Sequence, residues 1–404
     1  MEALNKVPSL RFSEFKTEWK TELFGDVASF SKGKGISKSD ISDNGQFDCI
    51  RYGELYTHYN ERIAKTISKT NVNSSELVFS HRNDVIIPAS GETQIDIATA
   101  ACVINDGIAI GGDINIIRSP INGVFLAYYL KNFKNREIAR LSQGVSVVHL
   151  YSNQLKTLKI NIPSKNEQEK ISNFLTIIDT KIDQLIEEKS LLEQYKRGLL
   201  QKIFTQEIRF KDDHGNTFPE WEEKKIGDIG EIVGGGTPDT FTPSYWGGEI
   251  IWFTPTEIKS KYIGKSIRTI TELGLRQSSA KLLPTGTILL SSRATIGDVG
   301  IAVYPCCTNQ GFQSIIVNEN NFNEFIYYWI VYHKKDFLRK ASGSTFLEIN
   351  KTEISKLKIQ LPSKKEQIKI GNLLSSIDAK IELLKIQIEN AGAFKKGLLQ
   401  QMFI

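Results

Sequence analysis

The stretch that decides the fold occurs twice. Residues 163–204 read PSKNEQEKISNFLTIIDTKIDQLIEEKSLLEQYKRGLLQKIF, and residues 362–403 read PSKKEQIKIGNLLSSIDAKIELLKIQIENAGAFKKGLLQQMF. The two copies align without a gap at a constant offset of 199 residues, and about 20 of the 42 positions are identical. Agreement of this length does not arise by chance, so the chain is a tandem duplication.

Each copy has the pattern of one long helix. The serine after the proline, Ser164 or Ser363, is an N-cap residue with a glutamine four positions later. Apolar residues then recur in alternating steps of four and three, and a period of about 3.5 residues held over this length predicts a coiled-coil seam. The seam residues are Ile171, Leu175, Ile178, Ile182, Leu185, Leu192, Leu199, Ile370, Leu374, Ile377, Ile381, Leu384, Ile388 and Leu398.

Two seams of equal length favour pairing with each other over two separate core helices. Because about 155 residues lie between the copies, a compact chain would most easily lay the helices antiparallel. Lys196 and Lys395 occupy seam positions and could specify the register of pairing at some cost in stability. Gly198 and Gly397 lie inside the helical register. They indicate close approach of the partner helix or of another protein, or simple inheritance from the duplication.

The similarity continues upstream of both helices. FLAYYLKNFKNREIARLSQG (residues 125–144) aligns with EFIYYWIVYHKKDFLRKASG (residues 324–343), which pairs Tyr128 with Tyr327. Nearer the N-terminus the offset rises to about 202, where Trp19 faces Trp221. Residues 27–83 and 229–285 show no useful similarity to each other. Each repeat is therefore a constant frame that holds a divergent insert.

Within each frame, short apolar runs predict buried strands, followed by an amphipathic helix and a short strand that leads into the seam helix. The predicted class is α+β. Two mixed α/β domains in tandem are joined by two long helices that pair as an antiparallel coiled coil, with internal pseudo-two-fold symmetry. The predicted segments are a first domain at 1–161, a central helix at 162–206, a second domain at 207–360 and a distal helix at 361–404, with a linker near 205–222.

The composition indicates a folded, soluble chain. Of its 404 residues, 40% are hydrophobic and 10% aromatic, which suffices for two globular units. No apolar run approaches the length of about 18 residues that a membrane span needs, and MEALNKVPSLRF lacks the apolar segment of a signal peptide. We therefore expect a cytoplasmic protein. The four cysteines lack CxxC spacing and the five histidines are scattered, so we expect no metal site. The net charge of +5 permits a polyanionic partner without requiring one.

A duplicated chain with a two-fold axis suits a ligand of matching symmetry, such as duplex DNA. At this point the residues resemble the specificity subunits of type I restriction-modification enzymes. The resemblance covers essentially the whole chain, and its most specific part is the pair of PSKxEQ helices. It is also carried by VPSLRF…EW with its repeat EIRF…FPEW, by residues 234–258, LLSSRATIGDVGIA (289–302), NQGFQSIIV (309–317), and residues 343–367.

The resemblance implies a non-catalytic subunit with two target-recognition domains. Each would read one half of a bipartite, asymmetric sequence in double-stranded DNA, while the helices set the spacing. The implied partners are two methyltransferase subunits and restriction/translocase subunits, with no membrane. The chain itself would hold no cofactor. The partners would use S-adenosylmethionine, ATP and Mg²⁺, and methylation of adenine would require flipping the base out of the duplex.

Motifs for catalysis are scarce. The sequence has no GxxxxGK[ST] phosphate loop and no tetrapeptide like NPPY or DPPY. Pro238-Asp239 followed by Glu257-Ile258-Lys259 could mimic the carboxylates and lysine of a metal-dependent nuclease, although a turn followed by a strand end is the simpler interpretation. Two alternatives stay open: a stand-alone nuclease or restriction enzyme, and a coiled-coil adaptor without a nucleic-acid role.

Reading of bases requires polar side chains on loops or helix ends that enter the major groove. Arg293 is the strongest candidate because it follows the buried run ILLSS, and its simplest alternative role is a salt bridge with Asp298. The glycine turn 234–236 could also bring backbone amides to a phosphate. The full set of DNA-binding candidates is Lys32, Lys34, Lys38, Arg51, His81, Arg82, Gln94, Gln143, Thr237, Arg268, Arg276, Gln277, Arg293, Asn309, Gln310 and Thr345.

Overall fold

A computed structural model of the chain describes residues 7–144, 147–342 and 347–404. The chain forms two compact units: Met1–Glu187 together with Ile386–Ile404, and Glu188–Lys385. Within the described ranges, no helix is long and apolar enough to cross a membrane.

The first unit is built on a five-stranded sheet and a three-stranded sheet. Its strands are β1 (Lys20–Leu23), β2 (Ser29–Lys32), β3 (Phe47–Ile50), β4 (Arg62–Ile63), β5 (Ser68–Thr70), β6 (Asp84–Pro88), β7 (Ser90–Gly91), β8 (Ala101–Val103), β9 (Ala109–Ile110), β10 (Ile114–Arg118), β11 (Val148–His149) and β12 (Lys159–Ile162). Its helices are α1 (Phe24–Val27), α2 (Tyr52–Thr57), α3 (Gln94–Ile97), α4 (Gly123–Asn132), α5 (Asn135–Leu141) and α6 (Ser152–Leu155), followed by the long α7 (Lys165–Phe204).

The second unit repeats this plan. Its strands are β13 (Glu222–Lys225), β14 (Gly230–Gly234), β15 (Trp246–Phe253), β16 (Tyr262–Ile263), β17 (Arg268–Ile270), β18 (Ile288–Leu290), β19 (Val299–Ala302), β20 (Cys306–Thr308), β21 (Gln313–Val317) and β22 (Lys358–Leu361). Its helices are α8 (Ile226–Ile229), α9 (Glu272–Arg276), α10 (Asn323–Tyr332), α11 (Lys334–Lys340), α12 (Lys351–Lys356) and the long α13 (Lys364–Met402).

The two domains have the same topology, even where the strands belong to the inserts of dissimilar sequence. The five-stranded sheets have the orders β2-β10-β6-β8-β4 and β14-β21-β18-β19-β16. The three-stranded sheets have the orders β5-β3-β9 and β17-β15-β20, each with one parallel and one antiparallel pairing. The α+β class and the tandem repeat are therefore confirmed, and the duplication extends through the regions where the sequence no longer shows it.

The run Val85–Ile87 of the central strand β6 is apolar and buried because both faces of the five-stranded sheet are covered. In β6, Val85 and Ile87 pack into the cluster that contains α4, whereas Ile86 between them packs into the cluster that contains Ile50 of the three-stranded sheet. Successive side chains of a strand point to opposite faces, so this run divides between two cores.

In each unit the PSKxEQ motif and the segment at the start of the domain, VPSLRF…EW or EIRF…FPEW, form one buried anchor. Arg11 Nε donates to Glu167 Oε1 at 2.7 Å, and Trp19 Nε1 donates to the same oxygen at 3.3 Å. Both Glu167 and Trp19 are buried. The anchor therefore fixes the start of the domain to the first turn of the long helix. In the second unit Arg209 Nε and Trp221 Nε1 likewise donate to Glu366, one to each carboxylate oxygen.

The predicted linker near 205–222 is consequently not a free connection. Arg209 and Trp221, which lie near its two ends, are both fastened to Glu366. Lys369 Nζ also donates to Asp213 Oδ1 at 2.7 Å. The Gly, Pro and charged composition of this segment predicted a linker, and side-chain contacts with α13 hold that linker in place.

Each unit contains an antiparallel pair made from halves of the two long helices. In the first unit, Ile171 and Leu175 of α7 share a cluster with Leu398 of α13. In the second unit, Leu199 of α7 shares a cluster with Leu374 of α13. Early residues of one helix thus meet late residues of the other. All fourteen predicted seam residues are buried or half-buried, and several of them also pack into the domain cores.

One predicted alignment is wrong by one residue. Tyr128 donates to Asp179, and the hydroxyl that donates to the equivalent Asp378 belongs to Tyr328, not to Tyr327. The offset is 200 between α4 and α10 and returns to 199 between α5 and α11. Two residues separate α4 from α5, whereas one residue separates α10 from α11. The ungapped alignment missed this one-residue deletion.

Candidate nucleic-acid interface

Three loops meet at one end of the five-stranded sheet in the second unit. Strand β14 is antiparallel to β21, so its last residue, Gly234, lies opposite Gln313, the first residue of β21. Strand β18 is also antiparallel to β21, and just beyond its end Ser291 bridges to Phe312. The loops 234–245, 291–298 and 309–312 therefore lie together, and we call them the second loop edge.

The second loop edge brings four predicted residues together. Thr237 Oγ1 donates to Gln310 Oε1 at 2.5 Å. The backbone N–H of Ser292, next to Arg293, donates to the carbonyl of Gly311 at 2.8 Å. Thr237, Arg293, Asn309 and Gln310 are thus carried by loops that brace one another, and such bracing pre-organises a binding surface.

Arg293 has a different partner from the one proposed above. Its Nη2 lies 2.9 Å from Glu348 Oε2, and both side chains are partly exposed. Asp298 instead pairs with Lys334 at 2.5 Å. The alternative Arg293–Asp298 bridge is therefore not formed, because Glu348, whose backbone bridges to that of Arg293, supplies a nearer carboxylate. Partly exposed ion pairs contribute little stability, so the guanidinium can exchange Glu348 for another acceptor at small cost.

The glycine turn 234–236 serves the packing of its own chain. A Cβ on Gly235 would lie 2.0 Å from the carbonyl oxygen of Asn309, and one on Gly236 would lie 2.3 Å from Ser279 Oγ. The N–H of Gly236 donates to Thr308 O at 2.8 Å. These glycines are needed for close loop packing, and this internal bond argues against the suggestion that the turn offers its amides to a phosphate.

A polar floor lies beneath the second loop edge. Buried oxygens of Ser292, Thr308, Gln313 and Ser314 have no hydrogen-bond partner among the described residues. Buried polar groups of this kind are usually satisfied by ordered water. Ser292 lies in the 291–298 loop, and the other three residues lie at the ends of β20 and β21 that flank the 309–312 loop.

The remaining candidates of the second unit lie apart from these four. The Arg268 guanidinium stacks 3.4 Å from the centroid of the Trp246 ring, which occupies one of its faces. Arg276 ends α9 and Gln277 is its C-cap. The following Ser279 touches the turn at Gly236, so α9 flanks the second loop edge. Thr345 lies outside the described residues.

The first unit has an equivalent loop edge, formed by residues 33–37, 89–93 and 111–113. Lys34 N donates to Ile110 O at 3.0 Å, and Gly112 N donates to Gly35 O at 2.7 Å. Lys34 lies in the first of these segments and Lys32 and Lys38 flank it, and all three residues are exposed. Three lysine ammonium groups on braced loops form a positive surface of the kind that contacts phosphates.

Three more candidates of the first unit lie near this edge. Gln94 begins α3 just after β7. Gln143 bridges to His149, which pairs with Ser90 of β7. Arg51 is less available, because its Nε donates to the buried Glu54 at 2.9 Å.

His81 and Arg82 are not part of the first loop edge. They precede β6, whereas the edge follows its other end at Pro88. Backbone bonds from His81 to Asp84 and from Arg82 to Asp106 fix them in a turn there. Sequence spacing could not show this, because it does not reveal which ends of neighbouring strands lie at the same edge of the sheet.

The nuclease-like residues are occupied by local structure. Asp239 accepts from Thr242 Oγ1 at 2.7 Å and from Phe241 N at 3.1 Å, and these bonds hold the pKa of its carboxyl below the ordinary value. Glu257 accepts from Thr254 N and Ile267 N, both at 2.7 Å. The turn-and-strand-end interpretation accounts for both carboxylates.

Two exposed apolar residues at the loop edges were missed by the sequence analysis. Phe241 is 93% exposed in the loop fixed by Asp239, and Ile95 is 79% exposed beside Gln94. For Phe241 the available signal was an apolar residue inside a run of turn-forming Pro, Asp and Thr residues, TPDTFTP. Apolar side chains presented in this way can contact thymine methyl groups or base steps.

Comparison with known proteins identifies the family. The family described as type I restriction modification DNA specificity domain matches residues 16–194 and 219–391. The chain belongs to this family. Each of the two matched ranges contains one complete set of sheets and one loop edge, so the specificity-domain family accounts for both repeats.

Relatives within the specificity-domain family match different lengths of the chain. The type I restriction enzyme MjaIX specificity subunit of Methanocaldococcus jannaschii is 41% identical over 207 residues, which are 50% of this chain and 48% of that protein. The chain thus spans about half the length of this relative. The MjaVIII specificity subunit of the same organism is 22% identical over 404 residues, covering 95% of this chain and 91% of that protein.

A solved structure shares the fold along the whole chain. The crystal structure of the type I restriction-modification system S subunit from M. genitalium matches with a TM-score of 0.65 and 17% sequence identity. The match covers 98% of this chain and 99% of that one. The tandem fold with two long helices is therefore shared beyond recognisable sequence similarity.

Proposed function

We propose that this chain is the DNA-specificity subunit of a type I restriction-modification complex. Each domain reads one half of a bipartite, asymmetric target in double-stranded DNA through its loop edge. The chain is non-catalytic and acts in the cytoplasm. A methyltransferase partner modifies adenine, and an ATP-dependent translocase-nuclease partner cuts DNA.

One observation carries this proposal: equivalent loop edges occur in two domains of the same topology, but they carry different side chains. The first presents Lys32, Lys34 and Lys38, whereas the second presents Thr237, Arg293 and the amides of 309–310. Base edges are distinguished by the donor and acceptor patterns of side chains. Two unlike sets on one duplicated scaffold suit two unlike half-sites.

The partners use the cofactors. We propose that two methyltransferase subunits bind S-adenosylmethionine, and that the restriction subunits use ATP and Mg²⁺. The long helices would dock these subunits and set the distance between half-sites. Inserting one heptad in both α7 and α13 should change the tolerated spacer and leave both half-sites unchanged, and an unaltered spacer would remove this role from the helices.

The decisive experiment is base-modification sequencing of genomic DNA from cells with and without the gene, with the methyltransferase present. We expect N6-methyladenine at one split, asymmetric motif to disappear without the gene. Replacing residues 27–150 with the corresponding part of another such subunit is the matched control and should change one half-site only. Identical methylation maps with and without the gene would contradict the proposal.

A further inference from the structure

Glu61 and Lys261 occupy the same place in the two domains. Each residue immediately precedes a short strand, β4 or β16, and these strands pair in parallel with β8 and β19. The carbonyl of Glu61 accepts from Cys102 N at 2.9 Å, and that of Lys261 accepts from Ile301 N at 2.7 Å. The backbone is the same, but one domain has an acid where the other has a base.

Glu61 belongs to the first insert and faces basic residues of the first frame. The residue is 4% exposed. Its carboxylate lies 3.1 Å from Lys395 Nζ on α13 and 3.8 Å from Lys131 Nζ on α4, and it accepts from Asn132 Nδ2 at 3.1 Å. Lys395 is shared with Asp179, at 2.7 Å. The insert thus places one buried negative charge against two positive charges of the frame.

Lys261 belongs to the second insert and faces an acidic residue of the second frame. Its side chain is 8% exposed and forms an ion pair with Glu324 of α10. It also donates to Tyr328 OH at 3.0 Å and to Ser375 Oγ at 2.7 Å. The contact elements are again the frame helix and the long helix α13, with the charges reversed.

Around these residues, part of each frame is identical. Tyr128, Asp179 and Lys395 form a hydrogen-bonded set in the first unit. Tyr328, Asp378 and Lys196 form the same set in the second. Two of the positions at which the frame helices differ carry the charges that meet the insert: where α4 has Lys131, α10 has Val331, and where α10 has Glu324, α4 has Val124.

We propose that Glu61 and Lys261 are charge keys that position each insert on its own frame, and that their opposite signs make each insert fit one frame only. A buried charge that meets a like charge can neither pair nor return to water, so the wrong insert would not seat. This deepens the proposed function, because each insert carries one of the three loops of its loop edge. The proposal rests on that function only for its DNA readout.

The test is a charge-reversal cycle in the full chain. The variants are Lys261→Glu, Glu324→Lys and the double variant, with Lys261→Met as a neutral control of similar length. Limited proteolysis reports the fraction of molecules in which the insert is unseated. Each single reversal should speed cleavage within residues 229–285 by about tenfold, Lys261→Met should have a smaller effect, and the double variant should return to near the native rate.

The DNA readout uses the same variants in complex with the methyltransferase partner. Binding is measured against duplexes altered in one half-site at a time. The single reversals should abolish discrimination at the second half-site and leave that at the first unchanged, and the double variant should restore it. The first unit supplies the mirror test, in which Glu61→Lys should affect the first half-site alone.

The outcomes separate the key from the proposed function. If Lys261→Glu resists protease as the native chain does, or if the double variant is as damaged as the singles, the charge keys are wrong. If the double variant returns to the native rate of proteolysis but the native complex discriminates no DNA sequence, the charge keys are supported and the proposed function is contradicted.

Discussion

The two domains share a fold but not the chemistry of their contacts. Their five-stranded and three-stranded sheets have the same strand orders, although residues 27–83 and 229–285 show no useful similarity. In contrast, Glu61 faces lysines where Lys261 faces a glutamate. The shared topology shows that apolar patterning, which many sequences satisfy, is enough to maintain the fold. The charged pairs differ between the domains, but within each domain the insert residue and its frame partner have opposite charges.

The largest expected effect tests the feature that the domains have most in common. Glu167→Ala leaves Arg11 and Trp19 without their shared buried acceptor, so we expect the first unit to lose about 3–5 kcal/mol of unfolding free energy. Glu366→Ala should cost the second unit less, because Arg209 is more exposed and retains Glu220 at 3.3 Å. Denaturant unfolding followed by proteolysis of each unit measures both.

The control for this comparison is Glu169→Ala, since Glu169 is exposed on the same helix. We expect it to change stability by less than about 0.5 kcal/mol. Equal, small losses in all three variants would show that the anchor does not hold the domain to the helix.

The next largest expected effect, on DNA binding, tests whether the second loop edge reads bases and the rest of the surface does not. Arg293→Ala should weaken specific DNA binding by about 1–3 kcal/mol and relax discrimination in the second half-site only. Arg82→Ala is the matched control, because Arg82 lies at the end of β6 away from the first loop edge. Binding to duplexes altered in one half-site provides the measurement, and a loss at both half-sites with Arg293→Ala would contradict separate reading.

A smaller effect concerns the glycines that both helices retain. A Cβ on Gly198 or Gly397 would have no heavy atom within 4 Å. Among the described residues, therefore, no partner helix approaches them closely. Gly198→Ala and Gly397→Ala should each raise stability by about 0.5–1 kcal/mol, because alanine favours the helix. Thermal unfolding measures this gain, and a loss of stability would show that the space is not open.

Copurification with the methyltransferase then distinguishes the two remaining explanations for these glycines. Unchanged binding by the more stable variants indicates inheritance from the duplication. Lost binding by one variant at its own end of the helix pair indicates close approach by another protein.

The smallest effect is the pH dependence of the first charge key. Burial raises the pKa of Glu61, but Lys131 and Lys395 outweigh it and place the pKa below the ordinary 4.5. The group therefore stabilises the fold above its unfolded pKa, and this contribution is lost as the pH falls through the lowered folded pKa. Unfolding at several pH values should show the native chain and Glu61→Gln converging in acid, and a constant difference would contradict the ion pair.

In the second domain the charge key is Lys261, which titrates at alkaline pH and not in acid. Burial lowers the pKa of Lys261 from 10.5, against the opposing influence of Glu324. The contribution of this lysine to stability therefore rises as the pH increases between the lowered pKa and 10.5. Lys261 itself should add nothing to the acid sensitivity of the second unit.

The sequence by itself determined the duplication, the two long helices and the family. These depend on local signals: the apolar period of 3.5 residues, which repeats along each helix, and the serine that caps its start. It also identified the central strands, because β6 and β18 are short apolar runs. The paired motifs predicted a repeated frame, and the structure explains them as one anchor between an arginine, a tryptophan and a buried glutamate.

Only the tertiary structure decided which distant residues meet. It placed Thr237 beside Gln310, excluded His81 from the first loop edge, gave Arg293 to Glu348, and set Glu61 opposite Lys395. These contacts join residues that are far apart in the chain, and their partners depend on strand order and direction. A periodic pattern specifies which face of an element is buried, but not which neighbour covers it.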